Sequence, residues 1–191
     1  YGRNIYANIT NFVRFQFSTN VAAIATMFLA PLLTKFIPLS AIQILWINLI
    51  MDGPPALALG VEPPEKDAMS RKPRDPKAPF LNIPLATSIL FFGLIMCAGT
   101  VLVFAYSILY EASLAKASTI AFTTFVMFQL FNAFNCKSTT QSILSNAFSN
   151  KYLVAATLAS LALQICIIYN PYLSSIFGTV PLSLDEWAMI I

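Results

Sequence analysis

Long apolar stretches with almost no charge dominate this chain and leave it few ways to fold in water. Hydrophobic residues make up 58% of the 191 residues and charged residues only 10%, whereas a soluble domain carries about 25% charge. A helix needs about 20 apolar residues to cross a bilayer, and in lipid its main-chain polar groups must be bonded internally. The sequence therefore predicts an all-α fold, a polytopic transmembrane helical bundle in a lipid bilayer.

Five apolar segments have the length of a membrane span. They are predicted at residues 15–34, 39–60, 83–110, 118–136 and 151–170. A sixth begins near LDEWAMII, so residues 185–191 are predicted to be the start of a truncated span. Residues 1–191 are thus predicted to form one membrane domain. Because the chain opens with Tyr1 rather than methionine, it is expected to be a piece of a longer protein.

The basic residues predict how the spans are oriented. Residues 61–82 are rich in proline and charge and are predicted to be an aqueous loop. If this loop is cytoplasmic and the spans alternate, most basic residues share its side, as the positive-inside rule requires. This set comprises Arg3, Arg14, Lys66, Arg71, Lys72, Arg74, Lys77, Lys137 and Lys151, with Lys35 and Lys116 opposite. The helical stretch 1–14 is therefore predicted to be cytoplasmic, in an integral, multi-pass membrane protein.

Asp52 lies inside the second apolar segment, in ILWINLIMDGPPALALG, where a charge is costly. A carboxylate near the bilayer centre costs roughly 2.5–3.5 kcal/mol on insertion scales. No lysine or arginine lies at the centre of any predicted span, so a bound cation is the economical counter-charge. Gly53, Pro54 and Pro55 follow directly, and they are predicted to break the helix and free carbonyl oxygens at this depth. A charged side chain beside main-chain carbonyls that lack helical donors is an arrangement typical of an ion site.

Three amide side chains at membrane depth are candidate ligands beside Asp52. Asn48 lies four residues earlier on the same helix face, Asn20 lies in the first span and Gln129 in the fourth. Such amides can also serve only to join helices, with hydrogen bonds worth about 0.6 kcal/mol on average, and this alternative is favoured for the asparagines that follow Gln129. Oxygen ligands suit hard cations such as calcium, manganese or magnesium. Calcium takes about 6–8 oxygens, so backbone, water or helices outside this chain are expected to supply the rest.

Other metal chemistry is disfavoured by the composition. The chain has no histidine, and its three cysteines, Cys97, Cys136 and Cys166, form no CxxC pair. They are predicted to be small core residues, and a zinc, copper or haem site is not expected. The net charge of +3 gives no reason to propose a nucleic acid partner.

Three longer motifs carry a family resemblance. The first motif, NLIMDGPPALALGVEPP followed by MSRKPRDPKAPFL, resembles the sixth helix and the following loop of P-type cation-transporting ATPases. The second, GRNIYANITNFVRFQFSTNV, resembles the fifth helix of that family with its stalk. The third, FVMFQLFNAFNCKS, resembles the eighth helix. The resemblance is to the calcium pump branch and covers the whole chain, from just after the phosphorylation domain to the start of the tenth helix. It implies that the full-length protein is an enzyme, a translocase that moves calcium or manganese with ATP.

The resemblance also implies ligands, position by position. Three ligand positions of the reticulum-type calcium pumps are matched here, by Asn20, Asn48 and Asp52. Three others depart from that type and are held by Ala23, Met51 and Gln129. One of the two reticulum-type sites is therefore implied to be lost, as in the plasma-membrane and secretory-pathway pumps, which move one calcium per cycle. The motifs do not separate these two types, and Gln129 stays a candidate ligand.

The remaining parts of such a pump are implied to lie outside these residues. They are the amino-terminal half with the phosphorylation domain, the ATP and magnesium sites, and a fourth helix with a further glutamate ligand. Neither DKTG nor TGDGVND occurs here, so this chain alone is not expected to hydrolyse ATP. Arg71, Arg74 and Lys77 in the 61–82 loop are implied to couple ATP chemistry to the site, although they could equally be positive-inside charges.

Three alternatives stay open from the sequence. One is a secondary transporter or channel built around Asp52, although related halves, which are frequent in secondary transporters, are not evident. Another is a pump for sodium, potassium or protons, whose sites usually carry more intramembrane acids. The third is a purely structural membrane bundle. A Pro-Glu-Gly-Leu helix and a DKTG motif upstream of Tyr1 would distinguish the pump from the rest.

Overall fold

Helices account for most of the chain that can be described. The computed structural model describes residues 2–63, 80–110, 113–137 and 149–190. Within these ranges the elements are α1 (Gly2–Thr34), α2 (Ala41–Trp46), a π-helical turn (Ile47–Met51), α3 (Gly53–Gly60), α4 (Ile83–Tyr110), α5 (Leu114–Asn135), α6 (Lys151–Tyr169), α7 (Pro171–Phe177) and α8 (Leu184–Ile190). The described ranges contain no strand, and the predicted all-α class is confirmed.

Five helical stretches are long and apolar enough to cross a membrane. They are Gly2–Thr34, Ala41–Gly60, Ile83–Tyr110, Leu114–Asn135 and Lys151–Tyr169. The first takes in both the predicted stalk 1–14 and the predicted span 15–34. The second joins α2, the π-helical turn and α3 into one stretch. Helix α8 lies where the start of a sixth span was predicted, at 185–191.

Local side-chain chemistry explains where several helices begin. Ser40 and Gln43 form a capping box at the start of α2, in which the Ser40 amide donates to Gln43 Oε1 at 3.0 Å. Asn150 caps α6 by accepting from the Leu153 amide at 3.0 Å. Asn170 ends α6 and caps α7, whose first residue is a proline. These caps satisfy helix-end donors that would otherwise be exposed to an apolar environment.

Helix α5 lies at the centre of the bundle. It packs on α4, α6 and the α2–α3 stretch. The most apolar part of α5 is 67% buried, whereas the corresponding parts of the other four membrane-length stretches are 33–44% buried. Helix α1 packs chiefly on α4, where Gly93 permits close approach, since a Cβ there would lie 2.8 Å from Val21 Cγ1 and 3.0 Å from the Ser18 carbonyl oxygen. The central position of α5 brings its polar residues against both α1 and α3.

Charged contacts lie at the two ends of α5. Lys116 in its first turn pairs with Glu186 of α8 at 2.7 Å, and Lys137 just after its last turn pairs with Glu62 at 3.5 Å. Of the cysteines, Cys97 and Cys136 are buried, whereas Cys166 is exposed on α6. The prediction of small core residues was therefore wrong for Cys166.

Candidate cation site

Asp52 is buried in the middle of the α2–α3 stretch. It precedes the first residue of α3 and its side chain is 1% exposed. Its neighbours Ile47 and Met51 belong to the largest apolar cluster of the bundle. The structure therefore places a carboxylate in an environment that disfavours charge unless a partner compensates it.

The helix does not unwind at Asp52 but widens just before it. The Asp52 amide donates to the Ile47 carbonyl, five residues back, at 2.9 Å, which defines the π-helical turn. Gly53, Pro54 and Pro55 then form the first turn of α3, where prolines are tolerated because their position needs no main-chain donor. The predicted interruption is thus a π-helical turn, a feature often found at functional sites.

This turn leaves carbonyl oxygens without helical donors. The Asp52 amide uses the Ile47 carbonyl, and the next bond in register is the Ala56 amide to the Asp52 carbonyl at 3.0 Å. The four carbonyls of residues 48–51 lie between these two acceptors. The N–H groups that could reach them belong to residues 53–55, and two of these three residues are prolines, so a single N–H remains. At least three of these four oxygens therefore receive no main-chain hydrogen bond within the helix.

Two glutamine amides hold the carboxylate of Asp52. Gln129 Nε2 of α5 donates to Oδ1, and Gln16 Nε2 of α1 donates to Oδ2 at 3.3 Å. Gln129 is fully buried, and its own Oε1 has no hydrogen-bond partner in the structure. Within the described residues no lysine or arginine forms a salt bridge with Asp52. In the described part of the chain, the partners of the carboxylate are thus neutral amide donors.

A second polar contact joins α1 and α5 on the same side of the bundle. Asn132 Nδ2 donates to Ser18 Oγ at 2.7 Å, and both side chains are buried. The sequence favoured helix-joining roles for the asparagines after Gln129, and Asn132 makes such a contact. Asn135 takes part in a similar way through its main chain, because its carbonyl accepts from Arg14 Nη1 at 3.4 Å.

Asn20 and Asn48 are not hydrogen-bond partners of the buried carboxylate. Both are exposed on the surface of the described bundle, and neither hydrogen bonds to Asp52. Asn20 follows Gln16 by one helical turn on α1, and Asn48 precedes Asp52 by four residues. At the positions that depart from the reticulum-type pattern, Ala23 and Met51 are buried in the apolar core.

The sequence missed Gln16. It was available as a polar residue four positions before Asn20, and in the structure it, rather than Asn20, contacts Asp52. Periodicity places both on one side of α1 and cannot say which of the two meets α3. The basic residues Arg71, Arg74 and Lys77 lie outside the described residues.

The donor set around Asp52 has the chemistry of a hard-cation site. The described residues contain no group of three His, Cys, Asp or Glu side chains that could hold a metal ion. What they offer instead is one carboxylate, amide oxygens and main-chain carbonyls, all of them oxygen ligands. Calcium and similar ions accept such ligands in mixed coordination shells.

Comparison with known proteins identifies close relatives. Residues 36–191 match the family model described as "Cation transporting ATPase, C-terminus". The chain is 43% identical over its whole length to the calcium-transporting ATPase of Bacillus subtilis (strain 168), of which it covers 22%. It is also 44% identical to the rat calcium-transporting ATPase type 2C member 2 and 43% identical to the human type 2C member 1, over 95% and 96% of this chain. The chain spans about a fifth of the length of these curated relatives.

Proposed function

Because the chain belongs to the cation-transporting ATPase family, as its carboxy-terminal region, we propose that it is the ion-translocating membrane domain of an ATP-driven divalent cation pump. The ion is calcium, with manganese as a second substrate, and one ion leaves the cytoplasm in each cycle. The observation that carries this proposal is the buried carboxylate of Asp52: the described residues offer it amide donors and no cation, and it adjoins main-chain carbonyls that lack helical donors.

The bound ion is proposed to replace the Gln129 amide donor as the partner of the carboxylate, while Gln16 keeps its hydrogen bond to Oδ2. Asp52 is the charged ligand, and the carbonyl oxygens of residues 48–51 lie on the same helix. Gln129 contributes by rotating its amide, since its Oε1 has no hydrogen-bond partner while its Nε2 donates to Asp52. A glutamine amide can present either its nitrogen or its oxygen to a neighbouring group. The carboxylate alone favours Nε2 of Gln129, whereas a bound cation favours Oε1.

Asn20 and Asn48 are proposed to complete the shell from the exposed face of the bundle. An amide in the middle of a span is unfavourable against lipid tails, yet both asparagines are exposed. A neighbouring segment that supplies further oxygen ligands would cover them. We assign this segment to the amino-terminal half of the same pump, which also carries the phosphorylation domain and binds ATP and magnesium.

The proposed orientation places the start of α1 and the 61–82 loop in the cytoplasm. Arg71, Arg74 and Lys77 of this loop are proposed to help couple ATP chemistry to the cation site. Arg14 and Lys137 support this orientation because they lie at the same end of the bundle: Arg14 donates to the Asn135 carbonyl at the end of α5, and Lys137 follows that end.

Phosphorylation of the full-length protein by ATP tests the proposed function. Calcium should stimulate phosphoenzyme formation, manganese should compete with calcium, and sodium and potassium should do neither. Sealed vesicles should accumulate one calcium for each ATP hydrolysed. Transport that proceeds without ATP, or phosphorylation that sodium, potassium or protons stimulate in place of calcium, would contradict it.

Gln16 is expected to raise the calcium affinity of the site through its contact with Asp52. Its Nε2 orients the carboxylate of Asp52 from a neighbouring helix, and loss of such an orienting partner typically lowers metal affinity about 10–100-fold. Gln16→Leu in the full-length pump should therefore raise the half-saturating calcium concentration for phosphorylation about tenfold.

Thr19→Val is the matched control for Gln16→Leu. Thr19 lies on the same helix one turn away and its hydroxyl bonds only within α1, to the Phe15 carbonyl at 3.0 Å. It should leave the half-saturating concentration unchanged. An unaltered or higher calcium affinity in Gln16→Leu would show that Gln16 does not support the ligand.

A further inference from the structure

A cleft with a volume of about 820 Å³ lies between the end of α4 and the first turns of α8. Its walls come from six residues between Leu102 and Leu109 of α4, and from Asp185, Glu186 and Met189 of α8. The volume lies within the usual range of ligand-binding pockets, about 300–1,000 Å³. Leu102 and Leu109 are 69% and 79% exposed, so the α4–α8 cleft opens on the outer surface of the bundle, which faces lipid in a membrane.

The α4–α8 cleft lies at the end of the bundle where α5 begins. Glu186 pairs with Lys116 in the first turn of α5 at 2.7 Å, and Ile190 shares an apolar cluster with Ile120, one turn further along α5. Helix α8 therefore runs inward from this end. Because a helix rises about 1.5 Å per residue, Lys116 lies about 20 Å from Gln129 along α5. The cleft is thus separate from the candidate cation site.

Two carboxylates lie at the outer rim of the cleft. Glu186 is buried, and its two oxygens accept from Lys116 and from the Ser183 amide. Asp185 is exposed and forms no salt bridge with any described residue. The rim therefore keeps one negative charge that the described part of the chain does not neutralise, and it is complementary to a positively charged group on a ligand.

The polarity of the cleft falls from its rim inward. Ser107 on its wall is fully buried, and its hydroxyl has no hydrogen-bond partner among the described residues. A buried hydroxyl without a partner is unfavourable, so a ligand oxygen that accepts from it would bind favourably. Val103 lies one turn deeper than Ser107 on α4, and Met189 one turn deeper than Asp185 on α8. An acid, a hydroxyl and an apolar wall thus follow one another, which is the order that matches a phospholipid.

We propose that the α4–α8 cleft binds a phosphatidylethanolamine molecule. Its ammonium pairs with Asp185, an ester oxygen accepts from the Ser107 hydroxyl, and an acyl chain covers Val103 and Met189. A primary ammonium carries N–H donors for a carboxylate, which only accepts, whereas the quaternary ammonium of a choline headgroup has none. An anionic headgroup is disfavoured by the acidic rim. In the orientation proposed above, this lipid belongs to the extracytoplasmic leaflet.

Photolabelling of the full-length protein in vesicles tests this site. The vesicles consist of phosphatidylcholine with a small fraction of a lipid that carries a photoreactive group in its acyl chain. Three such probes are compared at equal concentration, with an ethanolamine, a choline or a glycerol headgroup, and mass spectrometry measures the labelling of residues 102–109 and 184–190. The ethanolamine probe should label these residues about threefold more than the choline probe, as expected for one exposed ion pair, and the anionic glycerol probe should label them least.

Two variants separate the headgroup contact from the space in the cleft. Asp185→Asn should lower labelling by the ethanolamine probe about threefold, to the level of the choline probe, and leave labelling by the choline probe unchanged. Ala105→Trp places a large side chain on the cleft wall and should reduce labelling of the cleft by all three probes to background. Ala159→Trp is its matched control, because Ala159 is exposed on α6 away from the cleft; it should leave the labelling of the cleft unchanged.

Two results would overturn this inference. Equal labelling by the three probes, or labelling by the ethanolamine probe that Asp185→Asn does not lower, would show that the cleft does not select this headgroup. Absence of label from the cleft, while other exposed helix surfaces are labelled, would show that another part of the full-length protein, a second copy or a different protein covers it. Should Ala105→Trp fail to accumulate, Asp185→Asn decides. The measurement needs neither calcium nor ATP, so its outcome is independent of the proposed function.

Discussion

Replacing Asp52 by asparagine should abolish calcium-dependent phosphorylation of the full-length pump while the membrane bundle stays folded. The Asp52 carboxylate accepts hydrogen bonds from the two glutamine amides, and the residue is 1% exposed. Removing one partner of a buried charge pair costs about 3–5 kcal/mol, which corresponds to a loss of calcium affinity of about hundredfold or more. Phosphorylation from ATP, measured over a range of calcium concentrations, checks this result.

Thermal stability in the absence of calcium should move in the opposite direction for Asp52→Asn. A buried charge whose described partners are neutral amides is removed, and asparagine can still hydrogen bond with Gln16 and Gln129 after one of their amides rotates. Stability should therefore be unchanged or higher. Asp185→Asn, which neutralises an exposed acid of α8, is the control and should alter neither property. Retained calcium-dependent phosphorylation in Asp52→Asn would favour a purely structural role for this acid.

Replacing Pro54 and Pro55 together by alanine should also weaken cation binding strongly. Two new N–H groups would then be in register with the carbonyls of Ile50 and Met51, and the helix could close over them. A hydrogen bond to a charged group is worth about 1.5–3 kcal/mol, and a carbonyl contact to a cation is comparable in kind. Since 1.4 kcal/mol is tenfold in affinity, the half-saturating calcium concentration should rise about tenfold or more.

Pro31→Ala is the matched control for this double variant. Pro31 lies inside α1, well away from Asp52 in sequence, so alanine there adds a helical hydrogen bond without affecting the π-helical turn. Thermal stability should rise or stay the same in both proteins, while calcium affinity should fall only in the Pro54→Ala, Pro55→Ala variant. An equal affinity in both would exclude a role for the carbonyls of residues 48–51.

Short-range patterns were sufficient to predict the membrane bundle and its unusual acid. Apolar stretches of span length and the scarcity of charge determine that the chain is helical, because lipid offers no partner for unbonded backbone. The cost of Asp52 is likewise a property of its immediate sequence. The two prolines after it predict an interruption of the helix, because each lacks a main-chain N–H whatever the surrounding fold.

The form of that interruption was decided by packing. From the sequence alone Gly53-Pro54-Pro55 predicts a broken helix, whereas in the structure α2 and α3 remain one stretch joined through a π-helical turn. The buried contacts of Ile47 and Met51 hold both halves in the core, so the chain absorbs the missing donors by widening one turn.

The partners of Asp52 were decided by tertiary structure as well. Sequence determined that a buried acid lies at membrane depth and that amides from other spans are its candidate partners. Only the packing of α1 and α5 against α3 determined that Gln16 and Gln129 reach it while Asn20 and Asn48 face outward. The physical reason is that periodicity places a side chain on a helix face, but the relative rotation and depth of two helices, which depend on the whole core, determine which residues of those faces meet.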